Sequence, residues 1–228
     1  MTTLLLATRN AHKVGEIRAI LGERFQYLTL QDFPGAPEIV EDADTFAGNA
    51  TKKATELARW VPLAAPAIRH PSPDFILADD SGLEVDALGG QPGVHSARFA
   101  ALDTGAAGNS PDAANNAKLL RLLQNVPAEK RTARFRCVLA LTPVIGDTVE
   151  NASPVCYAGE FERETMLFEG DCEGWIDFAP RGVNGFGYDP LFIPISYTQS
   201  FAELGDTVKN QLSHRARALN QLRAALGV

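Results

Sequence analysis

The sequence has few cysteines and no motif that would pair them. Cys137, Cys156 and Cys172 are odd in number, widely spaced and never arranged as C-x-x-C, which argues against a disulfide framework. The four histidines are also scattered, and none has the H-E-x-x-H spacing of a zinc site. A chain of 228 residues can bury a core without such crosslinks. We interpret the cysteines as reduced thiols, as in a cytoplasmic protein.

Long apolar runs and an excess of positive charge are absent as well. No run of about 18 apolar residues occurs, so we expect no membrane span. Residues 1–6 lack a basic flank, so we expect no signal peptide. The formal net charge is −7, which argues against nucleic-acid binding, because phosphate backbones require clustered Lys and Arg. An anionic ligand would need local positive charge from a metal ion and a few placed cations.

What the sequence does contain is an early alternation of strands and helices. We predict strands at residues 4–8, 25–30, 75–78, 134–141 and 155–161, the last two as antiparallel partners. We predict helices after the turn at 8–13 and at 44–60, 111–124 and 213–226, with caps at Asp44 or Thr45 and at Ser213. The proline-rich stretch 61–74 and the glycine-rich stretches 89–93 and 182–190 are expected to be loops. This pattern indicates a single α/β domain with a mixed sheet.

In the amino-terminal part of the chain, two polar segments each follow a predicted strand. The turn at residues 8–13 leads into a helix start and carries Lys13, which suits a phosphate ligand but also occurs by chance. Asp79-Asp80-Ser81-Gly82 follows the apolar strand at 75–78. These carboxylates are either ligands for a hard cation such as Mg²⁺ or simply a turn. Glu41 and Asp42 would add a ligand or form a solvated acidic loop.

Two further segments combine glycines, aromatic residues and cations. In the loop 184–190 an aromatic residue between two glycines could lie flat against a base, or could pack into the core. The segment 209–215 brings three donors to a helix start, which suits a carbonyl or phosphate ligand but could be an ordinary polar cap.

Five stretches together resemble the inosine triphosphate pyrophosphatases, also described as non-standard purine nucleoside-triphosphate pyrophosphatases. They are LLLATRNAHKVGEI, EDADTFAGNATKKA, ILADDSGLEVDALGGQPGVHSARFA, PRGVNGFGYDPLF and SFAELGDTVKNQLSHRARAL, and they run from Leu4 to Leu219. The resemblance implies an elongated mixed α/β fold with two lobes around a central cleft. It also implies a homodimer, a requirement for Mg²⁺, and hydrolysis of ITP, dITP and XTP to the monophosphate and pyrophosphate.

The resemblance also implies roles for individual residues. Asp80 would be the general base and, with Glu41, a metal ligand. Four residues would bind the phosphates: Thr8, Asn10, Lys13 and Lys53. Ser81 would also contact the substrate. The residues at the base would be Phe186, Gly187, Tyr188, Asp189, Lys209, His214 and Arg215. A donor such as Arg215 would favour a 6-oxo purine over adenine. A metal-activated water would attack the α-phosphorus.

Two positions depart from the family pattern. Ala43 stands where the family usually has Gly, and Gly48 stands where it usually has Glu, which removes a carboxylate near the expected metal. Two other functions stay open: a pyrophosphatase for other modified nucleotides, and a nucleotide-binding sensor without catalysis.

Overall fold

The computed structural model describes residues 1–64, 72–144 and 164–227. The strands in these ranges are β1 (Thr2–Leu6), β2 (Phe25–Thr29), β3 (Phe75–Val85), β4 (Thr132–Pro143), β5 (Met166–Ile176) and β6 (Phe192–Pro194). They form one sheet in the order β2-β1-β3-β4-β5-β6. β1 pairs in parallel with β2 and with β3, whereas β5 and β6 are antiparallel. The predicted mixed α/β sheet is therefore confirmed.

The α-helices within these ranges are α1 (Ala11–Leu21), α2 (Phe46–Ala64), α3 (Asp112–Leu122), α4 (Phe201–Leu212) and α5 (His214–Leu226). Short 3₁₀ segments, such as Gly93–Arg98, lie in the connections. No helix in the described ranges has the length and apolar character needed to cross a bilayer. Two predicted caps are confirmed, since Thr45 Oγ1 accepts from Gly48 N at 3.0 Å and Ser213 Oγ accepts from Ala216 N at 3.2 Å.

The described chain divides into two compact units. Unit 1 comprises the described residues of Met1–Asp80, Val138–Phe168 and Leu219–Val228, and unit 2 comprises Ser81–Cys137 and Glu169–Ala218. β3, β4, β5 and α5 each contribute residues to both units.

Unit 1 is built around β1, in which Leu4, Leu5 and Leu6 are completely buried. Burial on both faces is expected for a parallel strand with a neighbour on each side. α2 adds a continuous apolar stripe at spacings of three and four residues, formed by Phe46, Ala50, Ala54, Leu57, Ala58 and Val61.

Unit 2 has an aromatic core of its own. The ring of Phe135 lies 4.7 Å from the ring of Phe192, and Phe192 lies 5.3 Å from Phe201. Around them pack residues from β3, α3, β5 and the segment 188–192, including Leu83, Leu119, Cys172 and Leu191.

Two predicted boundaries were wrong, and burial explains both. The loop expected from residue 61 begins later, because α2 continues through Pro62 to Ala64. Val61 is 2% exposed, so its burial on the apolar stripe outweighs the hydrogen bond that Pro62 loses. The strand expected to end at Ala78 continues to Val85, because Leu83 and Val85 are completely buried and carry it onward, so residues 79–82 lie inside β3.

Several elements were not predicted, and one prediction cannot be compared with the structure. β5, β6 and α4 were missed. The strand expected at residues 155–161 lies outside the described ranges, as does 65–71 of the proline-rich stretch. Within the described ranges, the neighbours of β4 are β3 and β5.

Arg131 supports a first prediction, about the stability of unit 2. Its buried guanidinium donates to the carbonyls of Leu123 (2.7 Å), Val126 (3.0 Å) and Asp177 (2.9 Å). Arg131→Met keeps much of the volume but removes all three hydrogen bonds, so we expect a loss of about 2–4 kcal/mol in unfolding free energy, measured by urea denaturation. The exposed neighbour is the control: Lys130→Met should change it by less than about 0.5 kcal/mol. Equal effects of the two substitutions would contradict this role.

Candidate active site

The predicted site residues divide between the two compact units. Thr8, Asn10, Lys13, Glu41, Lys53 and Asp80 belong to unit 1, whereas Ser81, Phe186, Gly187, Tyr188, Asp189, Lys209, His214 and Arg215 belong to unit 2. The division falls between Asp80 and Ser81, which are consecutive residues of β3.

Thr8, Asn10 and Lys13 lie at the turn between β1 and α1. Thr8 Oγ1 accepts a hydrogen bond from Asn10 N at 3.2 Å. Asn10 Oδ1 caps the helix by accepting from His12 N (2.9 Å) and Lys13 N (3.3 Å). The predicted strand-to-helix turn is confirmed. Because Asn10 already satisfies two first-turn N–H groups, an anion bound here would depend chiefly on the Lys13 side chain.

Two lysines and three carboxylates meet in unit 1, and we call Lys13, Glu41, Lys53, Asp79 and Asp80 the carboxylate–lysine cluster. Lys13 Nζ forms an ion pair with Asp79 Oδ1. Lys53 Nζ lies 3.3 Å from Glu41 Oε1 and 3.5 Å from Asp80 Oδ1. It also donates to the main-chain carbonyl of Asp79 at 2.8 Å. One lysine therefore connects both predicted metal ligands.

The position of the two aspartates inside β3 explains why they have different partners. Successive side chains of a strand point to opposite faces, so Asp79 meets Lys13 of α1 while Asp80 meets Lys53 of α2. The family resemblance assigned no role to Asp79, although the sequence alone left its carboxylate open as a cation ligand. The paired carboxylates were visible in the sequence, but the partner of Asp79 depends on where α1 packs.

Asp80 has perturbed acid–base chemistry. Its side chain is buried, and this burial raises its pKa to about 6. Lys53 and Lys13 oppose that rise, and Glu41 adds to it. Asp80 Oδ2 is buried and has no hydrogen-bond partner among the described residues. The carboxyl group can therefore exchange a proton near neutral pH.

The donor set of the cluster fits a hard divalent cation. Mg²⁺ takes one or two protein carboxylates and completes its shell with water and substrate phosphate. Glu41 and Asp80 offer such a pair, and the unpartnered Asp80 Oδ2 is an available ligand atom. Residues 1–64, 72–144 and 164–227 contain no group of three or more His, Cys, Asp or Glu side chains placed to hold a metal by themselves. The cluster therefore offers two carboxylate ligands to such a cation.

In unit 2, residues 184–190 form what we call the Phe186 loop. Gly185 and Gly187 flank the aromatic residue, and both have left-handed backbone conformations with φ of 73° and 63°. Asp189 Oδ2 accepts from Phe186 N at 2.8 Å. A Cβ atom at Gly185 would collide with the Asp189 carboxylate. Only glycine fits at this point of the loop.

Cations surround the ring of Phe186. Lys209 Nζ lies 4.4 Å from the ring centroid and Arg215 Cζ lies 5.9 Å from it. Lys209 also forms a fully buried ion pair with Asp189 Oδ2 at 2.6 Å. Arg215 donates to Ser81 Oγ at 2.9 Å. Unit 2 therefore brings together five of the residues predicted to bind the substrate, four of them at the base.

Tyr188 and His214 lie within the core of unit 2. Tyr188 donates its hydroxyl hydrogen to the carbonyl of Ser96 at 2.9 Å, and burial raises its pKa far above the ordinary value. The His214 ring stacks on Phe135 with 4.8 Å between centroids. Both side chains are only 4% exposed. Tyr188 thus anchors the Phe186 loop in the core and His214 packs the start of α5 against Phe135, while contact of either residue with the substrate stays a prediction.

The sequence pattern that defines the Ham1 family matches residues 4–225. The chain belongs to the Ham1 family. It is 44% identical over 226 residues to a dITP/XTP pyrophosphatase of Shouchella clausii, covering 99% of this chain and 97% of that protein. It is 46% identical over 228 residues to a dITP/XTP pyrophosphatase of Geobacter sulfurreducens, covering 100% and 98%. A solved structure of a HAM1 protein from Coxiella burnetii is similar over 100% of this chain and 99% of that one, with a TM-score of 0.76 and 33% identity.

The two departures from the Ham1 family pattern are in contact with each other. A Cβ atom at Gly48 would lie 2.8 Å from Ala43 Cβ and 3.0 Å from Thr45 Oγ1. Ala43 is held in place by Asn49, whose amide accepts from Ala43 N (2.9 Å) and donates to Ala43 O (3.3 Å). The methyl group of Ala43 therefore takes up the space that a side chain at position 48 would need.

This contact predicts that the effect of Gly48→Ala reverses sign with the residue at position 43. With Ala43 present, we expect the substitution to cost about 1–2 kcal/mol through the clash. In an Ala43→Gly background it should instead stabilise the protein by up to about 1 kcal/mol, because alanine favours the helix. A double-mutant cycle by urea denaturation measures both effects. Additive effects would show that the two positions are independent.

Proposed function

We propose that this chain hydrolyses deaminated purine nucleoside triphosphates, such as ITP, dITP and XTP, to the nucleoside monophosphate and pyrophosphate. The observation that carries the proposal is the carboxylate–lysine cluster, with its buried Asp80 of raised pKa. Support also comes from the full-length similarity to proteins named dITP/XTP pyrophosphatase. The aromatic and cationic surroundings of Phe186 suit a purine base.

Charge in the cluster limits how a triphosphate can bind there. Two lysines face three carboxylates, so the side chains alone provide no excess positive charge for a polyanion. We therefore propose that the enzyme depends on a divalent cation, Mg²⁺, held by Glu41 and Asp80. When bound, Mg²⁺ neutralises phosphate charge and lowers the pKa of water. Lys13 and Lys53 then shift their pairing from carboxylates to phosphate oxygens.

The proposed reaction uses Asp80 as the general base. A water oxygen forms a bond to the α-phosphorus, and the bond from the α-phosphorus to the bridging oxygen of the β-phosphate breaks. The Asp80 carboxylate takes the proton that this water gives up. Lys13 and Lys53 stabilise the charge that develops on the departing pyrophosphate. Thr8 and Asn10 hold the turn that presents Lys13.

The base is assigned to unit 2. Phe186 stacks on the purine, while Arg215 and Lys209 supply cationic donors beside the ring. A donor directed at O6 favours hypoxanthine and xanthine, because adenine would place its own amino group against that donor. Asp189 is engaged with Lys209 and with Phe186 N. Its contribution is therefore to shape the loop and to hold Lys209.

The proposal also includes the oligomeric state of the protein and its location in the cell. We propose a homodimer in the cytoplasm, as the family resemblance implies. Cys137 and Cys172 are buried and form no disulfide within the described ranges, which suits a reducing compartment. Sedimentation equilibrium of the purified protein would measure its mass, and a monomer at micromolar concentration would contradict the dimer.

A product assay tests the function directly. The purified protein is incubated with Mg²⁺ and ITP, dITP, XTP, GTP or ATP in ¹⁸O-labelled water, and the products are quantified. We expect monophosphate and pyrophosphate from the deaminated purines, little turnover of ATP or GTP, and the label in the monophosphate. Label in the pyrophosphate, or release of orthophosphate, would contradict attack at the α-phosphorus. ITP binding without turnover would favour a nucleotide sensor.

Asp80→Asn should lower activity and raise stability together. The amide cannot accept the proton, so we expect kcat to fall by at least about 10²-fold. Because the folded-state pKa of Asp80 is raised to about 6, its ionised form destabilises the fold above that pH, and the cost disappears as pH falls below the unfolded value. In metal-free buffer at pH 8 the variant should therefore be more stable by roughly 1–3 kcal/mol.

Asp42→Asn is the matched control for Asp80→Asn. Asp42 is exposed and pairs with Lys52. Removing its charge should leave both kcat and the unfolding free energy within error of the wild type. Wild-type turnover by Asp80→Asn would show that another group is the base, and reduced stability would contradict the cost assigned to its burial.

A further inference from the structure

Helix α3 holds both main-chain polar groups of Gly187, the residue that follows Phe186. Asp112 Oδ2 accepts a hydrogen bond from Gly187 N at 2.6 Å. Asn116 Nδ2 donates a hydrogen bond to Gly187 O at 3.0 Å. All three residues belong to unit 2. Gly187 is therefore fixed by one acceptor and one donor from the same helix.

The spacing of Asp112 and Asn116 explains how two side chains reach one residue. Positions four apart lie one above the other on the same face of a helix. Gly187 has a left-handed conformation with φ of 63°, and a Cβ atom there would meet nothing within 4 Å. The glycine is thus required by its backbone conformation, and the two hydrogen bonds hold that conformation in place.

These contacts bear on the direction of the Phe186 ring. The peptide group before Phe186 is held by Asp189, which accepts from Phe186 N at 2.8 Å. The peptide group after Phe186 is held by Asp112, through Gly187 N. With both peptide planes fixed, the φ and ψ angles of Phe186 are fixed, and so is its Cα–Cβ bond. Asp189 thus restrains the main chain before Phe186, and Asp112 restrains the main chain after it.

We propose that Asp112 and Asn116 are positioning residues for base recognition, which act on the Phe186 ring through Gly187. The inference rests on the proposed function and extends it, since neither residue lies in the stretches that carry the family resemblance. Both act before the substrate arrives, by holding the loop in its binding conformation. A loop fixed in advance loses less conformational freedom on binding, which favours affinity.

The kinetic test compares KM with kcat for ITP. We expect Asp112→Ala and Asn116→Ala each to raise KM roughly 5- to 20-fold while kcat changes less than about 3-fold, because ordering of the loop affects substrate binding. Arg121→Ala, on the exposed end of the same helix, is the control and should match the wild type. Equal values of KM for the wild type and both alanine variants would overturn the proposal.

Two near-isosteric exchanges separate this role from a general effect on α3. Asp112→Asn retains an oxygen that can accept from Gly187 N, so it should recover most of the affinity lost in Asp112→Ala. Asn116→Asp replaces the donor with a carboxylate that faces the Gly187 carbonyl, so it should be at least as impaired as Asn116→Ala. If Asp112→Asn behaves like Asp112→Ala, the charge at the start of α3 is what matters, and the proposal fails.

Two further measurements do not require turnover. Hydrogen exchange at the Gly187 amide should be slow in the wild type and faster in Asp112→Ala. Calorimetry should show weaker binding of IMP, and unchanged binding of tripolyphosphate with Mg²⁺, in both alanine variants. If the wild type hydrolyses no nucleotide, the proposed function fails, yet exchange at Gly187 and IMP affinity still decide this inference. Fast exchange in the wild type, or equal loss of IMP and tripolyphosphate binding, would overturn it.

Discussion

The burial of Lys53 against Glu41, Asp80 and the Asp79 carbonyl is the interaction on which the chemistry of unit 1 depends. A buried carboxylate without a partner is costly, and a nearby ammonium group offsets much of that cost. The compensation is incomplete at Asp80, whose pKa remains raised despite two lysines. The same incomplete compensation is what suits this carboxyl group to the roles proposed for it, as general base and as cation ligand.

In unit 2 the main feature is an aromatic ring, that of Phe186, held on a loop. Tyr188 anchors the loop in the core, Asp189 accepts from the main chain before the ring, and α3 holds the main chain after it. The loop is therefore anchored to the core at Tyr188 and Asp189. The placement of the Phe186 ring follows from main-chain hydrogen bonds and from this burial.

The sequence correctly predicted those features that depend only on residues close together in the chain. The apolar stripe of α2, the cap at Ser213 and the turn before α1 follow from spacing and capping chemistry, and all three are present. β5 was missed because its sequence, MLFEGDCEGWI, is rich in glycine and acidic residues, which are poor strand formers. Its glycines serve close packing, since a Cβ at Gly170 would strike the His214 carbonyl. Likewise, the pairing of Asp79 with Lys13 arises only once distant segments have packed.

The Asp189 carboxylate limits how the Phe186 loop can diverge in related sequences. One oxygen accepts from both Phe186 N and Lys209, and it fills the space that any side chain at position 185 would need. A change at position 185 or 189 therefore disrupts the other position, and neither can change alone. Under the proposed function, differences in base preference are expected instead at side chains that border the aromatic ring, such as Arg215.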